Sequence, residues 1–194
     1  VGLFPEQAPN RAWVRDGLAG LGGAVSVLNL FAYTGAMTLT IAAAGASVTH
    51  VDGARPTVAW ARRNAELSGL SDRPIRWIVD GVEEFVAREI RRERRYDAVI
   101  LDPPSYGHGR GGRPWRLEER LAPLLAACAT VTSRDPAFVV LSAHTPGFDP
   151  DRLAGELASA FGRRESEVEA GELSLRARGG AHLHLGAFAR IIRG

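Results

Sequence analysis

Short runs of apolar, often β-branched residues alternate along this chain with longer stretches in which apolar positions recur every three or four residues. The short runs are Val25 to Leu30, Ala46 to Val51, Ile75 to Val79, Asp97 to Leu101 and Ala137 to Leu141. They are too continuous to leave a wet face and predict buried strands. The longer stretches predict helices. The first is capped by Asn10, runs through Trp13 and Val14 to Leu21, and is ended by Gly22-Gly23. Ala36 to Ala44, stopped by Gly45, follows the first strand, and Arg55 to Ser68, stopped by Gly69, follows the second. Val82 to the neighbourhood of Arg94 follows the third. Gly107 to Pro114 is rich in glycine and arginine and predicts a mobile loop. Beyond it, Leu117, Leu121, Leu124, Leu125, Cys128 and Val131 form one apolar helical stripe. Asp149-Pro150 is an N-cap and first-turn proline for a helix ending near Phe161. Ser166 to Leu175 and His182 to Ile192 predict two closing strands joined by Arg178-Gly179-Gly180. Such alternation makes an α/β fold: a doubly wound, mostly parallel sheet with helices on both faces and an antiparallel strand at the C-terminal end.

Composition narrows this little. The 194 residues suit a single domain, with residues 1–23 as an opening segment and first helix and 24–194 as the core. Hydrophobic content is 45%, without a run approaching a membrane span, and no signal-peptide pattern is present, so a soluble protein with no membrane partner is expected. The one cysteine, Cys128, cannot form an internal disulfide, which fits a cytoplasmic location. A start at Val1, with Met37 as the sole methionine, leads us to expect a processed chain or a domain cut from a longer one. All 24 basic residues are arginine, and they cluster at Arg91, Arg92, Arg94, Arg95 and at Arg110, Arg113, Arg116. Such clusters suit phosphate binding, though a run of charge is also what a solvated helix face looks like.

Chemistry gathers at the strand ends, where open α/β sheets bind ligands. The fourth strand stops in Asp102-Pro103-Pro104-Ser105-Tyr106. Two prolines fix the backbone there, placing a carboxylate, rigid carbonyls and an aromatic ring together, a grip for a flat group bearing an amine. After the first strand, Asn29-Leu30-Phe31-Ala32-Tyr33-Thr34-Gly35 has one glycine and lacks the G-x-G-x-x-G that closes on a pyrophosphate. Asp52 ends the second strand, placed to accept from ribose hydroxyls. Asp80-Gly81 ends the third, placed to read the amine of an adenine.

The succession V-L-N-L-F-A-Y-T-G, V-D-G, V-D-G-V, D-P-P-S-Y resembles the class I S-adenosylmethionine-dependent methyltransferases, which have a Rossmann-like fold. More narrowly it is similar to the bacterial methyltransferases of large-subunit (23S) ribosomal RNA, whose opening segment G-L-F-P-E-Q-A-P-N-R also resembles. The resemblance implies that Asn29, Phe31, Tyr33, Thr34 and Gly35 hold the methionine end of S-adenosylmethionine. Asp52 with Gly53 would hold the ribose, Asp80 and Gly81 the adenine, with Gln7 and Asn10 closing over the cofactor. Asp102, Pro103, Pro104 and Tyr106 would be catalytic, the carboxylate and the Pro103 carbonyl aiming an amine and Tyr106 stacking on the ring. Arg110, Arg113 and Arg116 would hold RNA phosphates. Trp115 would either stack on the base or pin its loop, and His144 would either face the pocket as a proton acceptor or base contact or be a hydrogen-bonded loop histidine. Relatives that methylate carbon 5 of cytosine use a cysteine nucleophile, and neither Asp102–Tyr106 nor Leu141–Thr145 has one, so nitrogen is the expected target. Such RNA enzymes also carry a separate RNA-binding domain, which is expected to be absent or removed here. His182 and His184 make too small a set to suggest a metal. The rival readings are a methyltransferase of protein or small molecules, an NAD-linked oxidoreductase, and an inactive cofactor-binding scaffold.

Overall fold

The computed structural model describes residues 2–21, 24–108, 114–177 and 179–192. Its strands are β1 (Ser26–Leu30), β2 (Ser47–Asp52), β3 (Ile75–Val79), β4 (Ala98–Leu101), β5 (Tyr106–His108), β6 (Pro114–Arg116), β7 (Phe138–Ala143), β8 (Glu169–Arg176) and β9 (His182–Ile192). The helices are α1 (Ala8–Ala19), α2 (Ala36–Ala43), α3 (Arg55–Leu67), α4 (Val82–Arg91), α5 (Leu117–Val131) and α6 (Pro150–Phe161). One sheet runs in the order β3-β2-β1-β4-β7-β9-β8. The strands from β3 to β7 in that order are parallel, and β9 runs antiparallel to both of its neighbours, as the sequence pattern predicts.

Alternation along each strand sends one side chain to each face, and the core divides accordingly. Leu28, Leu30, Val99, Leu101, Val139 and Leu141 pack with α4, α5 and α6 through Phe85, Leu121, Leu125, Leu153 and Leu157. Val27, Ala98, Ile100, Phe138 and Val140 meet α1 and α2 through Val14, Leu18 and Ile41. Helix α6 ends as its residues dictate. Asp149 Oδ1 accepts from the Arg152 amide at 2.8 Å, Pro150 occupies the first turn, and Gly162 closes the helix in left-handed conformation at φ 62°.

Four local expectations are corrected. Helix α1 starts at Ala8, because Pro5–Gln7 form a 3-10 turn that runs straight into it. Asn10 is therefore not its cap but a fully buried residue of its first turn. Helix α4 stops at Arg91, with Arg92 as cap and Glu93 left-handed at φ 54°. The arginine-rich loop has paired ends: Tyr106–His108 lie antiparallel to Pro114–Arg116, with Gly107 opposite Trp115. Strand β7 continues beyond Leu141 through Ser142 and Ala143, which carries Ser142 to the ligand edge of the sheet.

Candidate active site

Strand order reverses between β1 and β4, so the chain leaves these neighbours in opposite directions and opens a crevice at their carboxyl ends. An outer cleft of about 620 Å³ lies there, and a smaller chamber of about 60 Å³ adjoins it. Phe4, Phe31, Tyr33 and Asp102 line both, so a ligand spanning the two passes the Asp102 carboxylate.

That carboxylate is held from three sides. Ser142 Oγ donates to Oδ1 at 2.6 Å and Gln7 Nε2 donates to Oδ2 at 3.2 Å. His144 Nε2 lies 3.3 Å from Oδ1. A carboxylate offers roughly four acceptor directions, so one on Oδ2 remains for a substrate hydrogen. Gln7 also donates to Ser142 Oγ at 3.0 Å, while its own Oε1 accepts from Asn10 Nδ2 at 2.8 Å. Arg190 Nη1 reaches Asn10 Oδ1 at 3.4 Å, and the guanidinium is sandwiched between Trp13 and Phe188 and paired with Glu169. Gln7 thus touches the site directly and Asn10 acts one step behind it. Asn10 does not line either cavity.

His144 lines the cleft, and its Nδ1 lies 2.7 Å from the Leu185 carbonyl. The bond to Asp102, against burial and with the attraction of that carboxylate, raises His144 from its ordinary 6.5 to about 9. A raised pKa stabilises the fold fully below the unfolded value and ceases to do so as pH rises through the folded one. Stability is therefore expected to fall by about 1–3 kcal/mol between about pH 6 and pH 10, and by clearly less in His144→Gln. Urea titrations across that range check this, and equal slopes would show that the pair contributes nothing.

The turn after β1 is built under strain. Phe31 and Tyr33 are left-handed at φ 55° and 48°, which costs of order 1–3 kcal/mol each. Asp52 helps to hold it: Oδ2 accepts from the Tyr33 amide and Oδ1 from the Ala54 amide, both at 2.9 Å. Gly35 is left-handed at φ 89°, and a Cβ there would lie 3.0 Å from the Ala61 Cβ. Gly35→Ala is accordingly expected to cost about 1–3 kcal/mol, read as a shift in urea midpoint without a change in slope. Thr34 lines the chamber, but its hydroxyl donates to the Gly2 carbonyl at 2.5 Å, tying the opening segment to the turn. Asn29 is buried at the chamber wall and donates to Thr38 Oγ1, which bonds His50 Nδ1, each at 2.9 Å. Burial lowers His50 to about 4 and keeps it neutral.

Gly53 and Gly81 line the outer cleft between β2 and α4. Asp80 does not: its carboxylate accepts from the Gly81 amide at 2.9 Å and pairs with Arg88. Pro103, Pro104 and Trp115 line the opposite wall. Trp115 is buried, donates from Nε1 to the Pro104 carbonyl at 2.8 Å and packs 5.4 Å from Phe31, so it pins the hairpin. Tyr106 is 70% exposed and lines neither cavity, which removes it from the ring-stacking position expected of it. Arg116 is exposed, 3.9 Å from Glu119, and Arg110 and Arg113 lie outside the described residues. The cluster from Arg91 to Arg95 precedes β4 and so sits at the opposite edge of the sheet from Asp102. Arg92 there is paired with the buried Glu89.

The sequence reading did not single out Phe4, Ser142, Arg11, Glu83 or Glu84 as part of the site. Phe4 lies 5.5 Å from Tyr33 and 6.2 Å from His144. Arg11 lines the inner chamber and donates to the Phe4 carbonyl at 3.2 Å. Glu83 and Glu84 line the outer cleft at the start of α4. Glu83 and Glu84 had a signal in the sequence: an acidic pair in the first turn of the helix that follows the strand-end Asp80-Gly81. Among the described residues no group of three or more His, Cys, Asp or Glu is arranged to hold a metal, and no helix is long and apolar enough to cross a membrane.

This arrangement of sheet, turn and strand-end acids is that of a methyl-transferring enzyme, and the sequence model described as S-adenosylmethionine-dependent methyltransferase matches residues 1–156. The chain belongs to that family. Over 110 residues it is 36% identical to the Ribosomal RNA large subunit methyltransferase K/L of Hahella chejuensis, covering 56% of this chain and 14% of that protein. Over 111 residues it is 32% identical to the Ribosomal RNA large subunit methyltransferase K of Neisseria meningitidis, covering 57% of this chain and 30% of that one. The chain therefore spans less than a third of either relative's length. The crystal structure of an S-adenosylmethionine-dependent methyltransferase from Agrobacterium tumefaciens superimposes with a TM-score of 0.91 at 34% identity, covering 99% of this chain and 63% of that one. A putative methyltransferase complexed with S-adenosylhomocysteine, at 22% identity and a TM-score of 0.75, shares the fold over 97% of this chain and 50% of its own.

Proposed function

We propose that this domain transfers a methyl group from S-adenosylmethionine to a nitrogen of a base in large-subunit ribosomal RNA. The observation that carries the reading is the Asp102 carboxylate, fixed by Ser142, Gln7 and His144 at the point shared by both cavities and left with an acceptor direction open. The cleft fits the cofactor by its donor set. Asp52, Glu83, Glu84 and Asp102 give it an acidic lining suited to a ligand bearing a sulfonium and an ammonium, and a cavity of this size accommodates a nucleoside. Asp52 and Gly53 would receive the ribose, and Gly81 and Val82 the base edge. Asn29, Gly35 and Arg11 would receive the amino-acid end.

The bound cofactor supplies an already activated methyl group, so the chain's task is orientation and exclusion of water. Asp102 accepts a hydrogen of the substrate nitrogen and aims its lone pair. Pro103 and Pro104 keep the backbone behind that carboxylate stiff. Phe4, Phe31 and Tyr33 line both cavities and would give apolar contact to a base that has left its stack at a cost of a few kcal/mol. Nitrogen is favoured over cytosine carbon 5 because Cys128 is fully buried in the α5 core, where burial pushes its thiol up. No thiolate is thereby offered to the cleft. The relatives' printed names point to large-subunit RNA. Incubation with cofactor carrying a labelled methyl, large-subunit RNA and cell protein tests the reading. Label is expected in RNA, and label confined to protein or small molecules would overturn it.

A further inference from the structure

We infer that Arg190 of β9 is a positioning residue for methyl transfer: through Asn10 and Gln7 it sets which way two buried amides point, and so keeps two hydrogen-bond donors on the Asp102 carboxylate. The inference rests on the reading above that Asp102 meets the substrate, and it extends the site to a residue that lines neither cavity. Pairing of β7 with β9 brings Arg190 there. Arg190 lies opposite Val140 and Phe188 opposite Ser142, so all four side chains share the face of the sheet that α1 covers. Trp13 of that helix takes the other side of the guanidinium, whose centre lies 4.7 Å from the Trp13 ring and 4.2 Å from the Phe188 ring.

The oxygen and nitrogen ends of an amide are nearly the same size, so its partners decide which way it faces. Arg190 can only donate. Its Nη1 therefore meets the oxygen of Asn10, which leaves Asn10 Nδ2 to donate to Gln7 Oε1. Gln7 in turn points Nε2 at the strand ends, with one hydrogen on Asp102 Oδ2 and the other on Ser142 Oγ. Ser142, already accepting, gives its own hydrogen to Asp102 Oδ1. The orientation of one amide thus accounts for a donor on each carboxylate oxygen. Turned over, Gln7 would set Oε1 against Oδ2 and take the Ser142 hydrogen, and of its three partners Asp102 would keep His144. With an apolar side chain at position 190, Asn10 is free to turn, and its oxygen then competes with Asp102 for the hydrogens of Gln7. Packing does not explain the charge. Arg190 is buried, its Nε has no hydrogen-bond partner among the described residues, and the Glu169 it pairs with is exposed. An apolar chain of similar size between the two rings would hold the fold as well or better. What it could not do is orient Asn10.

Three variants of the full chain test this. Arg190→Met fills the same slot without a donor and is expected to keep the urea midpoint and to bind S-adenosylhomocysteine within about threefold of wild type. Its turnover in methyl transfer from labelled cofactor to large-subunit RNA should fall roughly 10- to 100-fold at unchanged KM for RNA, as for a reacting group displaced by about 1 Å. Arg190→Lys returns a donor and should recover most of that loss. Asn10→Asp keeps a partner for Arg190 but has no hydrogen for Gln7, and should lose turnover as Arg190→Met does while the fold holds. In ¹H–¹⁵N spectra of the free protein, the Gln7 side-chain amide hydrogens should exchange slowly with water in wild type and markedly faster in both slowed variants. Should Arg190→Met unfold, Asn10→Asp decides on the same terms. A Gln7 amide unchanged in both variants would overturn the inference whatever the substrate, and so would equal losses of turnover and cofactor affinity. Full turnover in Arg190→Met beside a loss in Asp102→Ala would overturn the inference alone, whereas full turnover in Asp102→Ala would overturn the reading on which it rests. Label found only in protein, with Arg190→Met slowed and Arg190→Lys recovered, would overturn the RNA reading and support the positioning role.

Discussion

Replacing Asp102 with alanine is expected to lower the turnover of methyl transfer by on the order of 10²- to 10³-fold, the usual cost of removing one preorganised polar group at a reacting centre. Cofactor affinity should change by less than about threefold. The asymmetry follows from where the carboxylate sits. It lies at the junction of the two cavities, and its partners Ser142, Gln7 and His144 are all protein groups. The same change strands the Ser142 and Gln7 donors, so a loss of about 1–3 kcal/mol in folding stability should accompany it. Asp102→Asn preserves the shape and one acceptor oxygen and should keep most of that stability while still losing turnover. Single-turnover kinetics beside calorimetric titration with S-adenosylhomocysteine separates the two effects. Equal losses in both would move Asp102 out of the substrate site.

Replacing Asp52 with alanine is expected to do the reverse, weakening cofactor binding by about 1.5–3 kcal/mol, or roughly 10- to 150-fold, as for hydrogen bonds to a charged group. The upper end is the more apt here, because Asp52 also clamps the Tyr33 and Ala54 amides that keep the strained turn in place. Asp52→Asn retains one acceptor and should fall between wild type and alanine. Titration calorimetry on all three reads this directly. Unchanged affinity in Asp52→Ala would mean that the cofactor does not lie along the ends of β1 and β2.

The contrast between these two acids shows how much of the site the sequence carries. A strand end is legible because apolar runs and their stops are local, so Asn29, Asp52, Asp80 and Asp102 could all be placed at one edge before any contact was known. What a carboxylate does there is not local. Asp80 sits at its strand end as expected, but Arg88, two turns along α4, takes its charge. Asn10 looks like a cap in a helix-start pattern. A preceding 3-10 turn and Arg190, 180 residues away, make it a buried link instead. Tyr106 shows the sharpest limit. Its direction depends on the pairing of Tyr106–His108 with Pro114–Arg116, where Gly107 opposite Trp115 puts Trp115 inward and leaves Tyr106 in water. One residue of register decides between stacking on a base and facing solvent, and no periodicity fixes it in so short a hairpin. Ser142 was hidden for a similar reason. It continues β7 beyond the apolar run that marks the strand, and only the parallel pairing with β4 brings its hydroxyl to Asp102.

Mapping modified nucleosides in ribosomal RNA by mass spectrometry tests methyl transfer to nitrogen in large-subunit RNA through Asp102. The comparison is between cells with the gene, without it, and with Asp102→Ala in its place. One N-methylated nucleoside of the large-subunit RNA is expected to disappear with the gene, to return with the wild-type sequence and not to return with the variant. An unchanged RNA map, or the loss of 5-methylcytidine in its stead, would contradict it.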